Sequence, residues 1–324
     1  MPAKAIRVHD FGGPEVLRWE EVEVPDPGPG ELLVRHTAIG LNFIEVYQRA
    51  GLYSNPLPFV PGNEAAGRVE AVGPGVREFQ VGDRVAYGTA PVGSYAEVRV
   101  VPADRVVKLP RDVGEKVAAA VMLKGMTAEY LLRRTFPVRP GQTILFHAAA
   151  GGVGLLAIQW AKALGATVVG TVSTDQKAAL ARKLGCDHVV VTSREDFVDR
   201  VREVTGGRGV PVVYDSVGKD TFAKSLQCLA PRGMLVLFGQ SSGPVPPVDP
   251  AVLQKGSTYL TRPSLFAYNS RREDLLESAA ALFEQIESGH VTVDVQHSYP
   301  LERAADAHRA LEGRKITGSC LLLP

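Results

Sequence analysis

Between residues 143 and 239, apolar strand segments alternate strictly with helical segments, and this alternation restricts the possible folds more than any other part of the sequence. Two of the predicted helices end on a glycine, Gly165 and Gly185, which is a common helix stop signal. The predicted strands are 143–148, 167–172, 188–191, 210–215 and 234–239, and the predicted helices are 155–165, 176–185, 195–204 and 220–229. Apolar strands that alternate with helices belong to a parallel sheet covered on both faces. This stretch therefore predicts a doubly wound α/β domain.

The sequence on either side of this stretch has a different rhythm. Residues 1–110 contain short alternating runs separated by turns rich in Gly and Pro, a pattern typical of an antiparallel, partly barrel-like β domain. The tail returns to this style, so we predict that residues 1–123 and 262–324 form one β domain, with an α/β domain of residues 124–261 inserted between them. Further predicted elements are helices over 42–50, 271–288 and 302–312, and a strand near 256–260.

Composition and charge exclude several classes of protein. The 324 residues include 36 Lys and Arg against 35 Asp and Glu, so no bulk charge favours binding to nucleic acid or to an anionic membrane. Three scattered cysteines cannot form a disulfide framework, and the N-terminal segment lacks the apolar stretch of a secretory signal. We therefore expect a soluble cytoplasmic protein with no membrane or nucleic-acid partner.

A glycine-rich turn, AAGGVG at 149–154, lies between the first apolar strand and its helix. Gly151 has no Cβ, so the backbone can approach a pyrophosphate, and Gly154 allows the helix to lie against the strand. The positive end of the helix then faces the phosphates. Ala149 replaces the first glycine of the GxGxxG pattern, and such a turn can also be purely structural. The surrounding βαβ pattern favours a dinucleotide site.

The residues about 20 positions further on indicate which dinucleotide is bound. An NAD site has an acidic residue at the end of the second strand, whereas this chain has GTVST at 170–174. Ser173 can donate a hydrogen bond and Lys177 adds a positive charge, a pair that stabilises a 2′-phosphate. Asp175 is close, but a carboxylate is favoured in the first turn of the next helix. The sequence predicts NADPH; the alternative is that Lys177 is a solvated lysine and Ser173 a helix cap.

Several other chemistries are disfavoured by the motifs that the chain lacks. It has no HExxH, no zinc-spaced Cys/His cluster, and no Tyr followed four residues later by Lys. GQSSG at 239–243 fits GxSxG, but the prolines that follow at 244, 246 and 247 cannot build the helix of a nucleophile elbow. We predict a ligand-binding loop there. We predict that His147 is a hydrogen-bonded core residue and that the three cysteines are inert packing residues.

With these motifs in place, the whole chain resembles the medium-chain dehydrogenase/reductase superfamily and, within it, the zinc-free quinone oxidoreductases related to zeta-crystallin. The segments that carry the resemblance include GGPEVL (12–17), AIGLNFIEVYQRAGLY (38–53), PGNEAAG (61–67), LFHAAAGGVGLLAIQWAKALGA (145–166), VVYDSVG (212–218), GQSSG (239–243) and TRPSL (261–265). The resemblance implies a GroES-like, partly open β-barrel domain, a Rossmann domain, NADPH as cofactor and a quinone as substrate.

The resemblance also implies a site without a metal. The zinc relatives carry a catalytic Cys where this chain has Asn42 and a His where it has Asn63, and neutral amides are poor zinc ligands. A quinone accepts a hydride readily, so a site that mainly positions the nicotinamide suits it. No acid or base residue is assigned.

By resemblance, the cofactor contacts come from several separate segments. The expected cofactor-binding residues are Asn42, Lys124, Thr127, Ala149, Gly151, Gly152, Val153, Ser173, Lys177, Thr192, Ser216, Phe238, Gly239, Ser241 and Arg314. Thr192 stands where the family usually has a Tyr at the adenosine end. Arg314 resembles an arginine that reaches the 2′-phosphate, and its alternative is a surface arginine. Lys124 could instead form an interdomain salt bridge.

The expected substrate-binding residues are Asn42, Tyr47 and Tyr53, each of which offers a hydrogen-bond donor to a quinone oxygen. The alternative is that both tyrosines pack at the domain junction.

Three functions remain open at this point. An NADPH-dependent quinone reductase is favoured, and reduction of an enone or enal would use the same hydride geometry. A third possibility is an NADPH-binding structural or RNA-binding, crystallin-like protein with little turnover, against which the neutral charge argues. The resemblance implies a homodimer, and the strand near 256–260 could pair edge to edge across a twofold axis.

Overall fold

The computed structural model describes all 324 residues. The strands are β1 (Pro2–Val8), β2 (Leu17–Glu23), β3 (Glu31–Leu41), β4 (Ala65–Val72), β5 (Arg84–Tyr87), β6 (Val98–Pro102), β7 (Val107–Lys108), β8 (Thr143–Phe146), β9 (Thr167–Val172), β10 (His188–Val191), β11 (Val210–Asp215), β12 (Leu229–Leu237), β13 (Tyr259–Thr261), β14 (His297–Pro300) and β15 (Cys320–Leu323). The α-helices are α1 (Phe43–Arg49), α2 (Glu115–Glu129), α3 (Gly152–Ala163), α4 (Asp175–Lys183), α5 (Phe197–Thr205), α6 (Phe222–Gln227), α7 (Leu265–Tyr268), α8 (Arg272–Glu287) and α9 (Ala304–Glu312).

The chain divides into two compact units. The first unit contains Met1–Met126, Asn269–Glu287 and Val293–Pro324, and the second contains Thr127–Tyr268 and Ser288–Thr292. The domain boundaries predicted from the sequence, 1–123 with 262–324 and 124–261, divide the chain by function, and they stay a prediction.

The first unit is built on a mostly antiparallel sheet in which β3 is the central strand. One edge of β3 pairs with β4, and the other pairs with β6 near its start and with β15 near its end. The full order is β14-β15-β3-β4-β5-β7, with β14 parallel to β15, and β1 and β2 form a separate antiparallel pair. Two register shifts between β3 and β4 bend the pair, as bulges do in barrel-like sheets.

The second unit contains the predicted doubly wound sheet. Its six strands are all parallel, in the order β10-β9-β8-β11-β12-β13. The strand order reverses between β8 and β11, and ligands of such sheets bind outside the carboxyl ends of the strands near this reversal. The strands and helices predicted between 143 and 239 are confirmed, with shifts of a few residues at their ends.

Four elements were not predicted from the sequence, the short β7 and α7 and the longer β2 and α2. Strand β2 was not identified because charged residues interrupt its apolar positions, and it becomes a strand by pairing with β1. Helix α2 is rich in alanine and buried along most of its length, so it has little of the one-sided apolar pattern that reveals a helix. It continues into a π-helical turn at Tyr130–Thr135.

None of the helices combines the length and the apolar composition that crossing a bilayer requires.

Candidate functional site

The glycine turn joins β8 to α3 in the second unit. Gly151 is the N-cap residue of α3, and no side chain caps this helix end. Because the first N–H groups of an α-helix have no partner within the helix, they remain available to an anion. A Cβ on Gly154 would lie 2.4 Å from the Ala148 carbonyl oxygen and 2.7 Å from that of Ala149. The close approach predicted at Gly154 is therefore present.

Ala149 fits at the place of the first glycine because the neighbouring strand makes room for it. A Cβ added to Gly170 of β9 would lie 2.8 Å from the Ala149 Cβ and 2.6 Å from the Cys186 Sγ. Only glycine at position 170 therefore leaves space for the Ala149 side chain. The Ala149 N–H also donates to the Thr171 carbonyl oxygen at 2.9 Å. The turn therefore tolerates alanine at the first glycine position of the pattern because the neighbouring strand has a glycine, Gly170, opposite it.

The residues predicted to bind a 2′-phosphate lie at the carboxyl ends of β9 and β10. Ser173 follows β9 directly, and Lys177 lies in the first turn of α4. The cap of this helix is Thr174, whose hydroxyl accepts a hydrogen bond from the Lys177 N–H, so Ser173 is not the cap. The Thr192 N–H and hydroxyl both donate to the Val172 carbonyl oxygen, at 2.9 and 3.2 Å, which holds the two strand ends together.

Two further turns meet at the carboxyl ends of β11 and β12. The Ser241 N–H donates to the Ser216 carbonyl oxygen at 3.1 Å, and a Cβ on Gly239 would lie 2.8 Å from the same oxygen. Phe238, which precedes Gly239, donates its N–H to the backbone carbonyl oxygen of Asp215. The predicted residues 216, 238, 239 and 241 are therefore brought together, and the GQSSG segment is a loop, as expected from the prolines that follow it.

Behind these turns lies a buried polar cluster, which we call the His147 network: His147, Thr171, Asp215, Thr221 and Ser225. The Ser225 hydroxyl donates to Asp215 at 3.0 Å, so the Ser225 oxygen accepts from His147 Nε2 at 2.9 Å. His147 Nδ1 is then the acceptor for the Thr171 hydroxyl, also at 2.9 Å. This assignment of the tautomer follows from the acceptor-only chemistry of a carboxylate. The hydrogen bonds therefore run in one direction, from Thr171 to His147, from His147 to Ser225 and from Ser225 to the Asp215 carboxylate.

The His147 network connects the turns of the site from the inside. Asp215 accepts the N–H groups of Val217 and Gly218 at 2.8 and 3.0 Å, and Thr171 accepts the Ala148 N–H at 3.4 Å. Burial lowers the pKa of His147, and nearby Asp215 opposes this effect. His147 is therefore the hydrogen-bonded core histidine that the sequence predicted. Burial also raises the thiol pKa values of the cysteines, as inert residues require; they are about 12 for Cys186 and Cys228 and about 11 for Cys320.

In the first unit, Asn42 belongs to a second buried polar cluster, which we call the Glu64 cluster: Asn42, Glu45, Asn63, Glu64 and Lys124. Asn42 is the N-cap residue of α1 and forms a capping box with Glu45, whose carboxylate accepts the Asn42 N–H at 2.7 Å. The Asn42 Nδ2 donates to Glu64 at 3.0 Å. The backbone N–H and the side-chain amide nitrogen of Asn42 are therefore each bonded to a carboxylate of the cluster.

Glu64 is the centre of this cluster. One carboxylate oxygen accepts from Asn42 and from the Lys124 Nζ, each at 3.0 Å, and the other accepts the Leu123 N–H at 2.7 Å. Glu64 is fully buried and Lys124 is nearly so. A Cβ on Gly40 would lie 2.0 Å from the Glu64 carboxylate, so the carboxylate occupies the place of a side chain at that position. The salt bridge of Lys124 thus lies within the first unit.

Glu45 adds a second carboxyl group to the Glu64 cluster. It accepts the backbone N–H and the side-chain amide of Asn63 at 3.2 and 2.8 Å. Burial raises the pKa of Glu45 to about 7, and the hydrogen bond from Asn63 and the charge of Lys124 only partly offset that rise. Two carboxyl groups and one ammonium group are therefore buried together.

Tyr47 and Tyr53 form an aromatic pair close to this cluster along the chain. Their rings lie 5.3 Å apart in an edge-to-face arrangement, and Phe43 packs against Tyr47 at 5.9 Å. Tyr53 is exposed and Tyr47 is half-buried. The geometry brings the two predicted tyrosines into one aromatic surface.

Two other predicted site residues, Arg314 and Thr127, lie elsewhere in the chain. Arg314 is exposed in the turn after α9 and has a φ of +58°. Thr127 is buried in α2, where the second unit begins. Neither residue joins one of the two clusters.

Comparisons with known proteins agree with this architecture. The chain is 52% identical to the quinone oxidoreductase of Pseudomonas aeruginosa over 99% of its own length and all of the relative's. A crystal structure of Escherichia coli quinone oxidoreductase complexed with NADPH matches with a TM-score of 0.98 and 50% identity, covering 99% of this chain and 100% of that one. The chain belongs to the quinone oxidoreductases of the medium-chain dehydrogenase/reductase superfamily.

The fold class predicted from the sequence is confirmed. Residues 28–111 match the family model of the alcohol dehydrogenase GroES-like domain, and residues 152–283 match that of the zinc-binding dehydrogenases. A 2-haloacrylate reductase from a Burkholderia species is also similar, at 48% identity over 98% of both chains. This quinone oxidoreductase thus combines a GroES-like domain with a parallel Rossmann sheet.

At the positions where zinc relatives carry ligands, this quinone oxidoreductase has the Glu64 cluster. Asn42 and Asn63 present amides that are already bonded to the two carboxyl groups. No group of three or more His, Cys, Asp or Glu residues in the chain is arranged to hold a metal ion.

Glu45 and Glu64 are residues of the site that were not identified from the sequence. Asn42 followed three residues later by Glu45 is a capping-box pattern and could have been recognised. Glu64 gave no local signal, because its partners Asn42 and Lys124 lie 22 and 60 residues away along the chain.

Proposed function

We propose that this chain is an NADPH-dependent quinone oxidoreductase that transfers reducing equivalents from NADPH to a quinone without a metal ion. One observation carries the proposal. An uncapped helix N-terminus follows a close-packed glycine turn, and a serine and a lysine replace the acidic residue at the end of the next strand. The relatives named quinone oxidoreductase, one of them crystallised with NADPH, support the same reaction.

The residues of the second unit fit the cofactor. The N–H groups of Gly152 and Val153 begin α3 and point along its axis, which suits a pyrophosphate. Ser173 and Lys177 would bind the 2′-phosphate, with Thr192 beside them. Ser216, Phe238, Gly239 and Ser241 would line the path toward the nicotinamide, as would Thr127. When bound, NADPH supplies the hydride.

Residues of the first unit would orient the acceptor. The Asn42 amide donates one hydrogen to Glu64 and has a second hydrogen for a quinone oxygen. Tyr47 and Tyr53 would add hydroxyl donors and an aromatic surface for a flat ring. The Lys124 ammonium donates one hydrogen to Glu64 and has two more, which suit the nicotinamide ribose. Arg314 would bind the 2′-phosphate.

A second candidate reaction is the reduction of an activated alkene. The similarity to a 2-haloacrylate reductase favours it, because an enone and a quinone accept a hydride at similar electron-poor carbons. The same binding residues would then orient a carbonyl or carboxylate oxygen.

We extend the proposal to organisation and location. Residues 124–261 would form the NADPH-binding domain, and residues 1–123 and 262–324 the substrate domain. Strand β13 is the outer strand of its sheet, and Tyr259 on it is 55% exposed, which suits pairing with β13 of a second copy in a homodimer. We place the enzyme in the cytoplasm, with no membrane or nucleic-acid partner.

The test combines binding and turnover. Calorimetry with NADPH and NADH measures the two dissociation constants, and stopped-flow absorbance follows NADPH oxidation with benzoquinone, a naphthoquinone, an enone and 2-chloroacrylate. We expect tighter binding of NADPH and faster turnover with quinones. Reduction of the alkenes but not of the quinones would instead establish the second candidate.

Matched variants separate the substrate residues from the cofactor residues. Tyr47→Phe and Tyr53→Phe retain the rings and remove the hydroxyls, so we expect a higher KM for quinone and an unchanged NADPH dissociation constant. Tyr259→Phe on β13 is the control variant. An unchanged KM in both tyrosine variants would contradict the proposed substrate contacts.

A further inference from the structure

We propose that Arg194 supplies an additional cation for the 2′-phosphate of NADPH and that Asp175 opposes it, so that this ion pair sets the preference for NADPH over NADH. This assignment rests on the proposed function, because it concerns the same nucleotide site. It concerns two residues that no other part of the proposed mechanism uses.

The geometry places Arg194 at the first turn of α4. Thr192 is bonded to Val172, so the residues after β10 lie alongside the end of β9. Arg194 Nη1 and Nη2 each lie 2.7 Å from a different oxygen of Asp175, the first residue of α4. Asp175 is two residues from both Ser173 and Lys177. The guanidinium is therefore held beside the pair predicted to bind the 2′-phosphate.

The pair is open to solvent and can exchange partners. The side chains of Arg194 and Asp175 are 52% and 72% exposed, and exposed ion pairs are weak because water screens them. Arg194 Nε also lies 3.7 Å from Glu195, whose carboxylate contacts Arg200 at 3.5 Å. A phosphate dianion offers a planar guanidinium stronger bidentate hydrogen bonds than a single exposed carboxylate does.

The two members of the pair should act on the cofactor in opposite directions. The positive charge of Arg194 attracts a 2′-phosphate, whereas the negative charge of Asp175 repels it. NADH carries uncharged hydroxyls at this end, so Arg194 gains nothing there and Asp175 can accept a hydroxyl hydrogen bond. If the pair served only to join the two strand ends, removal of either member would have the same consequence.

The experiment measures the dissociation constants of NADPH, NADH and adenosine 2′-monophosphate by calorimetry. For Arg194→Ala, we expect NADPH and adenosine 2′-monophosphate to bind about tenfold more weakly, and NADH to change by less than about twofold. For Asp175→Asn, we expect NADPH to bind about threefold more tightly, because a repulsive charge is lost. Arg194→Lys should retain part of the NADPH affinity.

The matched control is Arg202→Ala, which removes an exposed arginine paired with Asp199 at 3.5 Å in the same unit. It should leave all three constants unchanged. Weaker NADPH binding in both the Arg194 and Asp175 variants, or no change in either, would overturn the assignment while leaving the proposed function intact. A wild-type enzyme that binds no NADPH would overturn both.

Discussion

The two buried polar clusters compensate the lost hydration of their carboxyl groups in different ways. The Glu64 cluster of the first unit contains two carboxyl groups and the Lys124 ammonium. The His147 network of the second unit contains one carboxylate, Asp215, which is satisfied by hydroxyl and backbone N–H donors, and a neutral imidazole. An ion pair that has lost its water depends on both partners, whereas a network of mostly neutral donors spreads the cost over several bonds.

This difference indicates what each cluster contributes. The Glu64 cluster fixes the amide of Asn42 and buries charge next to a proposed substrate residue. The His147 network supports the turns at the ends of β8, β9 and β11 without adding positive charge behind a proposed phosphate site. The first cluster should therefore be sensitive to charge and pH, and the second to the loss of hydrogen bonds.

The largest effect should come from Lys124→Met, which leaves the Glu64 carboxylate buried without its cation. We expect the free energy of unfolding to fall by about 3–5 kcal/mol in urea denaturation. Glu64→Gln combined with Lys124→Met should recover part of the loss, because position 64 then no longer carries a buried charge without its cation. Lys116→Met on the exposed side of the same helix is the control. A small loss for Lys124→Met would contradict the ionic description of the cluster.

Glu45→Gln tests the pH sensitivity of the Glu64 cluster. Because the pKa of Glu45 is raised from 4.5 to about 7, the folded state retains a proton that the unfolded state loses above pH 4.5. The wild type should therefore lose about 3 kcal/mol of stability relative to the variant between pH 4.5 and 7. Denaturation at several pH values measures this difference. Glu284→Gln, exposed on α8, should show no such trend, and a pH-independent difference for Glu45→Gln would refute the prediction.

His147→Leu tests the His147 network, since leucine fills much of the space but cannot bond to Thr171 or Ser225. We expect a loss of about 2–3 kcal/mol of stability and weaker binding of NADPH. Thermal denaturation and calorimetry provide the two readings. The exposed His290→Leu serves as the comparison. Unchanged NADPH affinity in folded His147→Leu would show that the network does not support the cofactor turns.

The smallest effect should come from Gly170→Ala. This variant tests whether the glycine turn also depends on close packing against β9. The added Cβ would lie 2.8 Å from that of Ala149, so we expect a loss of about 1–3 kcal/mol in denaturant. Ala149→Gly combined with Gly170→Ala should recover part of it. Gly114→Ala, where a Cβ meets nothing within 4 Å, is the control. If Gly170→Ala is as stable as the control, the turn depends on the network alone.

Much of the fold could be predicted because its signals are local. The strands and helices between 143 and 239 follow from apolar periodicity, and the position of the glycine turn follows from consecutive residues. Local signals failed where a segment depends on its partner, as β2 depends on β1. At the site, the sequence predicted Asn42, Ser173 and Lys177 as binding residues, and this stays a prediction. It did not predict the hydrogen-bond partners that position Asn42, which are Glu45 and Glu64.

Local sequence was sufficient to predict the doubly wound sheet and the turn that begins α3, since each depends on residue type and spacing. By contrast, the pairing of Lys124 with Glu64, 60 residues away, and of Arg194 with Asp175 became visible only in the folded chain. Charged side chains choose partners by distance in space and by loss of water, and neither quantity is encoded in the order of neighbouring residues.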